Sequence, residues 1–84
     1  MKITVKLFAA YQDAYGVPEI QMELEPGTTV SVVRDRLIAE RPELEQWRSL
    51  TRLGINLQFV ESETVLHEGD EVVLIPPVSG GSSG

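Results

Sequence analysis

Eighty-four residues with seven basic and thirteen acidic side chains, a formal net charge of −6, no cysteine and one histidine describe a small acidic chain. That length closes one hydrophobic core, which excludes a multi-domain protein; the composition excludes a disulfide framework, a thiolate nucleophile, a cysteine zinc site and a histidine-only metal cluster. The negative balance opposes binding to a nucleic-acid backbone, and no run of ~20 apolar residues spans a membrane, so a cytoplasmic protein is expected.

Residues Lys2 to Phe8 alternate, with Ile3, Val5 and Leu7 on one side and Lys2, Thr4 and Lys6 on the other, which predicts a half-buried strand. Ala9 to Tyr15 reads as a loop or short helical turn, punctuated by Gly16-Val17-Pro18. A second strand follows, with Ile20, Met22 and Leu24 inward and Glu19, Gln21, Glu23 and Glu25 outward. The two form an antiparallel hairpin with a long loop.

Pro26-Gly27 marks a turn, and Thr28, Thr29 and Ser31 are each suited to accept an unpaired amide at a helix start. Val30, Val33, Leu37 and Ile38 recur at helical spacing, opposite Arg34, Asp35, Arg36 and Glu40. The helix should end near Arg41, because Pro42 disfavours helical geometry in the residue before it. Glu43 to Arg48 predicts a second short helical piece, with Leu44 and Trp47 on one side and Trp47 packed over the helix end.

Thr51 to Val60 returns to strand, broken near Asn56-Leu57. Glu61 to Thr64 is turn-like, and Val65 and Leu66 are expected to tuck into the core. Glu68-Gly69-Asp70 is a sharp turn, and Glu71 to Ile75 is the most apolar strand, suited to the sheet centre. The acidic pairs at 61–63 and 68–71 read as solvated turns, with His67 exposed beside them, since no ligand set of recognisable spacing accompanies them. The basic residues from Arg34 to Arg52 sit mid-chain, and from Leu53 onward only acidic charges occur.

The order strand, strand, helix, short strands, final strand permits a mixed sheet with one main helix across one face. The first and last strands then lie parallel at its centre, joined through the crossover helix. That is the α+β, β-grasp or ubiquitin-like fold, expected over residues 1–78, with a flexible tail at 79–84.

The tail carries the chemistry. Leu74-Ile75-Pro76-Pro77-Val78-Ser79-Gly80-Gly81 is a strand that stops at two prolines and becomes a bare glycine pair. Without Cβ atoms, Gly80-Gly81 passes through channels closed to other residues. Pro76 and Pro77 stiffen the exit, and Pro77 to Gly81 reach about 17 Å at ~3.3 Å per residue. A main-chain carboxylate at Gly81 is thereby brought into another protein's active site.

These residues resemble the MoaD sulfur carriers, the small subunits of molybdopterin synthase, over residues 1 to 81. The likeness rests on Lys6-Leu7-Phe8-Ala9, Thr28-Thr29-Val30, Gly54-Ile55-Asn56, Phe59-Val60, Glu68-Gly69-Asp70-Glu71-Val72 and the Pro-Pro-Val-Ser-Gly-Gly end. The resemblance implies that Gly81 is adenylated by a MoeB-like enzyme using ATP, converted to a thiocarboxylate, and donates sulfur to a pterin precursor. It also implies docking on a MoaE-like large subunit in a heterotetramer. The resemblance further implies a carrier that holds no cofactor of its own and is not catalytic alone. Phe59, Ile75, Pro76, Pro77, Val78, Gly80 and Gly81 are the expected partner-contacting residues, with core packing the alternative for Phe59 and Ile75.

Two other functions share such a tail: a sulfur carrier of another pathway, such as the ThiS-like protein of thiamine synthesis, and a ubiquitin-like modifier joined through Gly81 to a lysine. The insertion at Pro42 to Arg52 favours the MoaD type. Ser82-Ser83-Gly84 departs from the family, and three readings stand: a linker remnant, a precursor extension removed by a protease, or a native end.

Overall fold

The alternation at the start of the chain forms β1, Lys2–Leu7, which buries Ile3, Val5 and Leu7 in a computed structural model that describes residues 1–77. After Phe8 the chain kinks at Ala9, φ 50°, into the short helix α1, Ala10–Tyr15. Gly16 ends it in the left-handed region, φ 74°, its N–H donating to the Gln12 carbonyl at 2.7 Å. β2, Glu19–Glu23, runs back antiparallel to β1 with Lys6 opposite Glu19 and Lys2 opposite Glu23.

Helix α2, Val30–Glu40, buries the predicted stripe of Val30, Val33, Leu37 and Ile38. A 3-10 helix, Pro42–Leu50, follows; its three-residue period places Leu44 in the core and half-buries Trp47 against it. The strands β3, Arg52–Ile55, and β4, Gln58–Phe59, form a hairpin turned at Asn56 and Leu57, and β5, Glu71–Ile75, ends the sheet residues.

Sheet order is β2-β1-β5-β3-β4, with β1 and β5 parallel and every other pair antiparallel. The parallel pair at the centre is possible because α2 lies in the connection between them. The α2 stripe packs on Ile3, Val5, Leu7, Leu53, Val72 and Leu74, joined by Tyr11, Leu24, Leu44 and Leu66, in one core. This is the expected β-grasp architecture, and among the described residues no helix covers the other sheet face.

Three expectations are corrected. Thr29 stands at the N-cap, but its hydroxyl caps no amide. The Val30 and Ser31 amides instead donate to the Thr64 and Ser62 carbonyls at 2.9 and 3.1 Å, so the 61–64 loop closes the helix start. Val65 is exposed while Leu66 is buried, because Val65 bridges Thr29 in extended pairing, where successive side chains point opposite ways. Pro76 is fully buried, so its ring anchors the end of β5 rather than offering a contact surface.

Candidate functional site

Strand alternation sends every second side chain to the open face, and the register aligns them in rows. One row reads Glu19, Lys6, Val73, Gly54 and Phe59 across five strands. Its first half is ionic: Lys6 Nζ lies 2.8 Å from Glu19 Oε1 and 3.9 Å from Glu71 Oε2. The hydrogen bond to Glu19 raises the Lys6 pKa.

Its second half is apolar. Phe8, Leu57, Phe59, Val73 and Ile75, with Gly54 and Gln58, line a groove of about 270 Å³. Phe8, Leu57 and Phe59 are 44%, 89% and 61% exposed, which is costly for large apolar side chains unless a partner covers them.

Gly54 makes the floor. A Cβ there would stand 3.2 Å from the Gln58 carbonyl oxygen and 3.6 Å from Val73 Cβ, so a side chain would fill the groove or push β4 away. Leu57 makes one rim, and it does so at φ 72°, a left-handed conformation that a leucine holds only at a cost of about 1–2 kcal/mol. Backbone strain spent on displaying an 89% exposed leucine points to use of that side chain. Arg52 sits on the same face, opposite Ile75 in the ladder, with its guanidinium carbon 4.5 Å from the centre of the Phe59 ring.

β5 delivers the chain to this groove. Ile75 lines it, Pro76 is pinned in the core and Pro77 is exposed, so the tail starts at a fixed point on the groove's edge. Of the sequence-predicted partner residues, Phe59 and Ile75 are thus brought together, with Pro77 beside them. The expectations for Val78, Gly80, Gly81 and the tail 79–84 lie outside the described residues.

Phe8, Gly54, Leu57 and Val73 are not among the partner-contacting residues expected from the sequence, although Phe8 and Gly54 lie in motifs that carry the resemblance. The signal was present for two of them. The β1 and β5 alternations put Phe8 and Val73 at outward positions, and an apolar residue there breaks the inside-outside pattern.

The acidic turns hold backbone. Asp70 Oδ2 accepts the His67 amide at 2.8 Å and Oδ1 accepts from Asn56 Nδ2 at 3.0 Å, while Glu68 accepts the Lys2 amide at 3.0 Å. Among the described residues no group of three or more histidine or acidic side chains is placed to hold a metal ion. No helix among them is long and apolar enough to cross a membrane.

The profile of the ThiS family matches residues 5–81. A molybdopterin synthase sulfur carrier subunit of Arabidopsis thaliana is 33% identical over 81 residues, covering 96% of this chain and 84% of the relative. The protein of the same name from Chlamydomonas reinhardtii is 34% identical over 83 residues, covering 96% of this chain and 100% of the relative. Among solved structures, small archaeal modifier protein 1 of Haloferax volcanii superposes with a TM-score of 0.81 at 26% identity, covering 96% of this chain and 100% of that one.

Proposed function

The chain belongs to the ThiS family, and on that premise we propose that it is the sulfur-carrying small subunit of a molybdopterin synthase. The observation that carries the reading is the junction of tail and groove: β5 ends at Pro76-Pro77 on the edge of an exposed apolar groove, and Gly80-Gly81 follow in sequence. A body that docks through the groove holds the root of a narrow tail at a set distance from a partner's active site. Positioning of that kind turns an encounter between two proteins into an effectively intramolecular reaction.

The chemistry belongs to the tail. The Gly81 carboxylate attacks the α-phosphorus of ATP on a MoeB-like enzyme and pyrophosphate leaves. Sulfide then attacks the acyl-adenylate carbonyl carbon, AMP leaves, and the new C–S bond makes Gly81 a thiocarboxylate. The ionised thiocarboxylate is the nucleophile that a MoaE-like large subunit presents to the pterin precursor. The relatives' designation as a subunit supports such a partner. A carboxylate exists at Gly81 only when no peptide bond joins it to Ser82.

Mass spectrometry after incubation with ATP, sulfide and the adenylating enzyme tests the reading. A chain ending at Gly81 should gain the mass of one sulfur-for-oxygen exchange, and the chain ending at Gly84 should not. Modification of the longer chain instead would sink it. The similarity to a protein named as a modifier favours a second reading, an isopeptide bond from Gly81 to a lysine Nζ. Finding Gly81 joined to lysines in extracts, with no thiocarboxylate, would replace the carrier by the modifier.

A further inference from the structure

The open face carries a cation whose placement the carrier role does not by itself require. Lys6 is held by Glu19 and Glu71, whereas Arg52 is exposed, stacks on Phe59 and makes no ion pair with a carboxylate among the described residues. It stands opposite Ile75, at the root of the tail, on a chain of net charge −6. Both of its shown neighbours, the Phe59 ring beneath it and Ile75 across the ladder, line the apolar groove. A guanidinium laid on an aromatic ring keeps its N–H edge directed outward for a planar acceptor, and covering the groove would strip that edge of water.

From this arrangement we infer that Arg52 sets partner choice: the surface that fits here places an apolar side chain in the groove and a carboxylate beside it, paired with Arg52. The inference rests on the synthase reading for its partner. A docked face lacking that carboxylate would leave the Arg52 charge desolvated and unpaired, which is a strong penalty against wrong partners. The stacked ring fixes the guanidinium in advance, so little side-chain freedom is lost on pairing.

The test is titration of the chain ending at Gly81 against the large synthase subunit of the same organism, at low and high salt, for wild type and Arg52→Lys, Arg52→Gln and Arg52→Glu. Thermal unfolding of each variant checks the fold. Arg52→Glu should weaken binding by at least about tenfold, Arg52→Gln by less, and Arg52→Lys least, with the salt dependence of binding flattened in Arg52→Gln. Equal affinity of wild type and Arg52→Glu, or equal losses in all three variants at both salt concentrations, would overturn the inference while leaving the synthase reading intact. Failure of the wild-type chain to bind the large subunit overturns both.

Discussion

Tyr11 and Thr51 share a hydrogen bond of 2.8 Å between their hydroxyls in the core, across forty residues of sequence. Thr51 Oγ1 gives its proton to the Trp47 carbonyl, also at 2.8 Å, so Tyr11 is the donor of the pair. The chain of bonds ties α1 to the end of the 3-10 helix and to the start of β3. Tyr11→Phe should cost about 1 kcal/mol and Thr51→Val about 2 kcal/mol, the larger loss arising because it strands both a buried phenol and a carbonyl. Urea unfolding of the two variants and their double mutant checks the order and the coupling.

Burial raises the Tyr11 pKa above its ordinary value of 10.0, and burial likewise raises that of Tyr15. The folded chain then keeps phenolic protons that the unfolded chain releases. Stability is fully present below pH about 10 and falls as pH rises through the folded-state values. Tyr11→Phe should flatten part of that alkaline decline and leave the remainder to Tyr15. Unfolding free energy measured from pH 8 to 11 by denaturant titration would contradict this if the slopes of the two proteins coincide.

Since the 61–64 loop and not Thr29 closes the start of α2, Thr29→Ala should lose less than about 0.5 kcal/mol. A threonine that capped through its hydroxyl would lose about 1 kcal/mol. Chemical denaturation distinguishes the two values.

Leu57 holds a left-handed backbone while 89% exposed. Leu57→Gly should stabilise the hairpin turn by up to about 1 kcal/mol and at the same time weaken binding to the large subunit. Unchanged or tighter binding by Leu57→Gly would show that the exposed side chain is not used at the interface, and a loss of stability would show that it serves the fold.

Phe59 is 61% exposed at the groove and is not one of the buried core residues. Phe59→Ala should change the unfolding free energy by about 1 kcal/mol or less, including its stacking with Arg52, yet weaken the complex by about 2 kcal/mol. Gly54→Leu, filling the same groove from below, should weaken binding similarly. Calorimetric titration of both variants reads this out.

Much of the molecule was legible because its signals are local. The period-two alternation of Lys2 to Leu7 and the helical stripe of Val30, Val33, Leu37 and Ile38 each name a buried face without reference to the rest of the chain. The succession of those elements then admits few topologies, and the β-grasp is among them. The candidate site was only half legible. Phe59 and Ile75 were expected at the partner surface and line the groove, while Pro76, expected there too, is buried in the core.

What the sequence by itself determined is therefore the fold class, the faces of each element and the composition of a tail ending in Gly80-Gly81. Tertiary structure alone decided the groove, because Phe8, Gly54, Phe59 and Val73 come from separate segments whose register sets them side by side. It also decided which carbonyls cap α2 and on which side Val65 lies. The physical reason is that alternation inside a regular strand or helix names a face locally, whereas what that face meets, and the face of a residue held by a single bridge such as Val65, follow from pairing and chain return over tens of residues.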